Sequence, residues 1–165
     1  DDSEGFRIVQ QRAGWPVGLC EGSFFQTADG VLHMLLRSGT TKLWVTESRD
    51  NGAHWSSPGE TAFTDDVAKF HCGRLPDGRF YHVGNPDRNG QRNPLVLSLS
   101  KDGIHFDRQY ILADTPRTMK KPGLYKGGAY AYPHTMIHQG YLYVIVSVCK
   151  ESVLVLRTSL ACLER

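Results

Sequence analysis

The chain predicts an all-β fold, a partial β-propeller of about three four-stranded antiparallel blades. Three observations lead there. Two turns of one type recur about fifty residues apart, a propeller-like period. They are Ser48-Arg49-Asp50-Asn51-Gly52-Ala53-His54-Trp55 and Ser100-Lys101-Asp102-Gly103-Ile104-His105-Phe106. Each has a Ser, an Asp two residues on, a Gly and a closing aromatic. The Asp can accept turn amides and the Gly supplies positive φ, which suits a hairpin between outer strands. A second class of tight turn, Asp29-Gly30, Asp77-Gly78 and Gln139-Gly140, separates paired apolar runs. No stretch carries a sustained helical period.

The elements follow in order. Gly22–Thr27, Val31–Ser38 and Lys42–Glu47 read as strands leading to the first Ser–Asp–Gly turn. Phe70–Leu75, Arg79–Gly84 and Pro94–Leu99 repeat that pattern before the second turn. His134–His138, Tyr141–Val148 and Ser152–Ser159 form a third set with no fourth strand after it. The predicted blades are residues 20–60, 70–112 and 130–160 of one partial domain, 1–165. Gly5–Gln10 reads as the outer strand of a preceding blade. Trp55 and Phe106 are expected to be buried plugs, each worth ~3–5 kcal/mol on truncation.

Three blades do not close a ring, since propellers typically need four to eight. The sequence therefore reads as the C-terminal half of a longer protein. Open blade faces and strand edges predict self-association. Its 165 residues are 40% hydrophobic and 22% charged, ordinary for a globular domain. A net charge of +2 does not support nucleic-acid binding. Arg117–Lys121 is the one basic run and reads as a solvated loop. No apolar run is long enough for a membrane helix, and no signal peptide opens the sequence. Cys20, Cys72, Cys149 and Cys162 form no CxxC pair, which argues against zinc. They read as buried free thiols.

Four residues stand where chemistry could occur. Glu21 opens the innermost strand of the first blade. Arg37 ends the strand that hairpins back, so both can lie at one mouth. Arg92 precedes the third strand of the next blade, after the polar loop Asn85–Gln91. Tyr132 opens the innermost strand of the last, within Gly128-Ala129-Tyr130-Ala131-Tyr132-Pro133-His134. Each has a plainer reading as a surface or packed residue, and Tyr130 rivals Tyr132. His71, His82 and His134 could line a central channel, although a strand histidine is more often simply packed. Lys69 precedes an inner strand. Asp50 and Asp102 read as structural.

Glu21…Asp29-Gly30…Arg37, then Asn85-Pro86…Arg92 ahead of Ser100-Lys101-Asp102, then Tyr132, resembles the layout of exo-sialidases. The two Ser–Asp–Gly turns are similar to that superfamily's Asp boxes, also called BNR repeats. The resemblance implies a sialidase-type propeller that cleaves an acidic sugar from a glycoconjugate. It implies Tyr132 as nucleophile, Glu21 as its base, and Arg37 and Arg92 as two of three carboxylate clamps. A neutral nucleophile suits a substrate whose anomeric carbon bears a carboxylate, because an anionic one would be repelled. Arginine suits the clamp because its fork pairs with carboxylate oxygens. The resemblance also implies no metal or other cofactor, and a secreted or periplasmic setting. Phe6-Arg7-Ile8 is similar to the family's F-R-I-P motif, with Val9 in place of the Pro. The family's acid/base Asp has no match here, so the 165 residues alone are expected to be inactive. Two alternatives stay open: a non-catalytic carbohydrate-binding propeller, and a polysaccharide lyase acting on uronates.

Overall fold

A computed structural model describes residues 18–124 and 126–163. Gly5–Gln10, with the Arg7 motif, lies outside them. The described residues form three antiparallel sheets and one 3-10 turn, Leu160–Leu163. The first sheet runs β1 (Cys20–Gln26), β2 (Leu32–Arg37), β3 (Lys42–Ser48) and β4 (Gly59–Thr64) in sequence order. The second runs β5 (His71–Arg74), β6 (Phe80–Gly84), β7 (Leu95–Ser100) and β8 (Arg108–Ala113) in the same way. The third has β9 (Tyr130–His138), β10 (Tyr141–Val148) and β11 (Ser152–Ser159). This is a partial propeller of meandering blades. The inner strand β1 lies beside β5, and β5 and β6 lie beside β9.

Position in the stack explains the sequence pattern. β6 (Phe-Tyr-His-Val-Gly) and β7 (Leu-Val-Leu-Ser-Leu-Ser) are buried throughout, because the middle sheet is covered on both faces. β9 mostly alternates buried and exposed residues. One core lies between the second and third sheets, with Tyr81, Val83 and Leu97 against Tyr130, Leu142 and Val144. The other joins the first and second sheets through Phe25, Leu35, Leu43, Phe70, Cys72 and Phe80. Ser23 ties the inner strands together by accepting the Cys72 N–H at 3.0 Å. On the far face of the third sheet, Ile145, Val153 and Val155 are exposed, with Ile145 directly opposite Val155.

Both Asp boxes close as the sequence predicts. Asp50 Oδ1 accepts Ser48 Oγ–H and His54 N–H at 2.8 and 2.9 Å, and Ser48 Oγ accepts Gly52 N–H at 2.8 Å. Asp102 Oδ1 accepts the Ile104 and His105 N–H groups, both at 2.8 Å. The aromatic plugs differ from expectation. Trp55 and Phe106 are only half-buried. Trp55 folds back on its own turn and donates Nε1–H to Gly52 O at 3.1 Å. Trp55→Ala should therefore cost ~1–2 kcal/mol rather than the cost of a core aromatic.

The turn glycine carries more. Gly103 sits at φ 79°, and a Cβ there would meet Phe25 Cε2 at 2.8 Å. The second Asp box thus packs directly on the first sheet. Gly103→Ala combines left-handed strain with overpacking and should cost ~2–4 kcal/mol. Urea denaturation of both variants checks the order; a costlier Trp55→Ala would contradict it. The cysteines also depart from expectation. All four are free, but only Cys72 and Cys149 are buried, while Cys20 and Cys162 are exposed.

Candidate functional site

Two bulges shape the site. In β1 the pairing with β2 slips between Cys20 and Ser23, and Glu21 takes φ 50°. In β9 the pairing with β10 slips between Ala131 and His134, and Tyr132 takes φ 57°. Bulges re-aim side chains, and left-handed non-glycine residues persist only where the surroundings hold them. Arg92 is a third such residue, at φ 49°.

Arg37 pairs with Glu21 and lies within interaction range of Tyr132. Cys20 pairs with Arg37 across the hairpin, which brings Glu21 to the same mouth. Arg37 Nη1 donates to Glu21 Oε2 at 2.6 Å, with both side chains partly buried. Burial pulls the guanidinium pKa down. The hydrogen bond and charge of Glu21 outweigh it, helped by Cys20 and by a hydrogen bond to the Tyr132 side chain, and the net shift is upward. The Tyr132 ring is partly exposed, and Lys150 Nζ lies 5.2 Å from its centroid, in cation–π range.

Arg92 is built in differently. Asp66 Oδ2 accepts its N–H at 2.6 Å, and Asn85 Nδ2 donates to its carbonyl at 2.9 Å. Arg92 Nη2 donates to Val67 O at 3.2 Å. Its stem crosses Gly128, where a Cβ would lie 2.6 Å from Arg92 Cγ and Cδ. Asp66 Oδ1 also accepts Gly90 N–H at 2.7 Å, which fixes the Asn89–Gln91 turn.

Asp65 and Asp66 are the residues that sequence reasoning missed. Asp65 is buried; its Oδ2 accepts Ala68 N–H at 2.9 Å, and its Oδ1 has no partner. Burial pushes its pKa up to about 6; the Ala68 N–H and the charges of Arg37 and Arg92 offset this in part, while Asp66 adds to it. One carboxyl thus feels both candidate clamps. Its folded pKa exceeds the unfolded value near 3.8, so the folded state binds more protons between about pH 4 and pH 6. Its contribution to stability falls as pH rises through that window, by ~2–3 kcal/mol for about two pKa units. Asp65→Asn should remove that fall. Its Tm relative to the native chain should be higher at pH 7.5 than at pH 4; equal differences at the two pH values would contradict the assignment.

The other candidates separate. His82 is fully buried among Phe63, Phe70 and Phe106, and burial pushes its pKa down to about 3. It is a packed histidine. His134 is exposed, with its ring 4.3 Å from that of His71. His71 Nδ1 is 2.6 Å from Thr135 Oγ1. The pKa of His71 falls to about 4 through burial, then His134, then Lys69. Tyr130, the rival of Tyr132, is buried and donates its hydroxyl to Thr115 O at 3.0 Å. Among the described residues, no group of three or more His, Cys, Asp or Glu could hold a metal.

Known proteins share this architecture. A solved structure titled "Sialidase" superposes with a TM-score of 0.72 at 28% identity, covering 85% of this chain and 13% of that one. Hadza microbial sialidase Hz136 gives a TM-score of 0.68 at 15% identity, covering 87% of this chain and 28% of that one. The intramolecular trans-sialidase from Ruminococcus gnavus, solved with oseltamivir carboxylate, gives 0.63 at 17%, covering 86% and 32%. The last two likenesses show the fold alone. The chain therefore spans under a third of the length of these relatives. No curated protein matches the sequence. The profile of the BNR repeat-like domain matches residues 6–144, and the chain belongs to that family.

Proposed function

We propose that this chain is part of a sialidase-like exo-glycosidase acting on an acidic, carboxylated sugar. The carrying observation is that Arg37 ion-pairs with Glu21 at 2.6 Å, at a mouth where Tyr132 lies near enough to help raise the guanidinium pKa. On this reading, a substrate carboxylate takes the open donors of Arg37 and Arg92. The Tyr132 oxygen attacks the anomeric carbon, its proton passes to Glu21, and the glycosidic C–O bond breaks. The departing oxygen takes its proton from an acid outside these residues. Water then attacks the glycosyl–tyrosine bond and returns the phenol, so configuration is retained. Asp66, Asn85 and Gly128 serve this reading by fixing where Arg92 stands. The blades at residues 20–60, 70–112 and 130–160 would supply the site's base, nucleophile and two clamps. The rest of a ring would supply the acid, a third clamp and cover for the exposed Ile145–Val155 face, where the chain alone would self-associate.

Turnover of a fluorogenic acidic ketoside by the intact protein tests this. Release of the free sugar with retained configuration supports hydrolysis. An unsaturated uronate product from a polyuronate would favour the lyase reading. Saturable binding with no turnover would favour a carbohydrate-binding domain.

A further inference from the structure

The basic run Arg117–Lys121 is a largely exposed loop, as the sequence suggests, and its backbone is tied down. It lies along the turn Cys149–Glu151, and the anchor is Glu151. Glu151 Oε2 accepts Lys120 N–H at 3.0 Å and Oε1 accepts Lys121 N–H at 2.6 Å. Lys126 Nζ closes the same carboxylate at 2.9 Å. These contacts hold the Glu151 pKa down to about 2, so the anchor stays ionised across ordinary pH.

The Lys120 and Lys121 anchors are backbone N–H groups, which leaves both side chains as cations. With Arg117 and Lys150 they line a cavity of about 650 Å³, within the usual range for a small ligand. Glu151 is the one carboxylate lining that cavity. The cavity adjoins another of about 470 Å³, and Pro116, Arg117, Thr118 and Cys149 line both. The second cavity is lined by Asn89, Gln91 and Asn93 of the loop that carries Arg92; Asn89 Nδ2 donates to Asn93 O at 3.4 Å and Asn93 Nδ2 to Asp114 O at 3.1 Å, so Gln91 is the principal amide for a ligand. Lys150 belongs to the first cavity and sits over the Tyr132 ring. The groove therefore runs from the Arg92 loop to the edge of the Tyr132 site. It begins with an amide suited to sugar hydroxyls and ends with a cluster of cations.

The geometry points to a second anion subsite: the groove binds a saccharide carrying an additional anionic substituent, a sulfate or carboxylate, at Lys120, Lys121, Lys150 and Arg117. The subsite rests on the reading that a sugar occupies the Tyr132 region, and it adds the chemistry of the neighbouring residue. The Gln91 amide binds hydroxyls and the cations bind the charge, with water largely retained.

Isothermal titration of the chain with a sulfated disaccharide, its unsulfated counterpart, inorganic sulfate and a short single-stranded oligonucleotide tests this. The sulfated disaccharide should bind at least about tenfold tighter than the unsulfated one, and more weakly as salt rises. The Lys120→Ala/Lys121→Ala variant should lose about tenfold for the sulfated probe and little for the unsulfated one. It keeps both backbone anchors, so its melting temperature should be unchanged. Lys126→Ala is the contrasting variant, expected to loosen the loop. Equal affinity for the two disaccharides, equal affinity for inorganic sulfate, tighter binding of the oligonucleotide or no binding would each overturn the subsite. Tyr132→Phe should leave this binding intact, so loss of turnover in that variant speaks to the catalytic reading and not to the subsite.

Discussion

Tyr132→Phe, introduced into the intact protein, should abolish turnover by at least about 10³-fold while leaving the fold unchanged. The phenol is the nucleophile in the proposed reaction, and Phe keeps the ring while removing the attacking oxygen. The ring is partly exposed and outside both cores, so stability should be unaffected. Its left-handed backbone is held by the β9 bulge, which the substitution does not touch. Arg37 keeps Glu21 as its partner. Steady-state kinetics alongside circular dichroism separates the outcomes. Retained kcat in a folded variant would remove Tyr132 from the chemistry. Loss of both activity and fold would mean that Tyr132 is structural.

Phe70→Ala should unfold the chain or lower its stability by ~3–5 kcal/mol. Phe70 is fully buried between the first two sheets, in one cluster with Phe25, Leu43 and Phe80. It also stacks near His82, with ring centroids 5.0 Å apart. Removing it opens a cavity beside an imidazole whose Nε2 already lacks a partner. Small domains are stable by only about 5–15 kcal/mol, so the loss is a large share of the total. Chemical denaturation followed by tryptophan fluorescence checks it; an unchanged midpoint would contradict the packing between sheets.

The fold was legible because its cues are local. A D-G turn between alternating apolar runs specifies a hairpin, and the hairpin itself places Glu21 beside Arg37. The Asp-box hydrogen bonds also lie within a few residues of one another. What could not be read is tertiary. Asp65 and Asp66 look like any acidic pair in a loop. Their burial, and the grip of Asp66 on Arg92, depend on a segment more than twenty residues away folding over them. The left-handed backbone at Glu21, Arg92 and Tyr132 has no sequence signature, since none is Gly or Asn. Trp55 carries the plug pattern yet stays half-exposed, because the pattern specifies the turn and not what packs on it. The basic run is exposed as read, but its tie to Glu151 was not legible, because that anchor lies thirty residues on in sequence.

The most direct test of the central claim is to trap the intermediate. The intact protein would be treated with a fluorinated acidic glycosyl fluoride, which forms the glycosyl–enzyme bond and slows its hydrolysis. Peptide mapping by mass spectrometry then locates the added sugar. The account predicts a single label on the peptide carrying Tyr132, absent from Tyr132→Phe and reduced in Arg37→Ala. A label on another residue, or efficient turnover of the natural linkage with no covalent species at Tyr132, would contradict it.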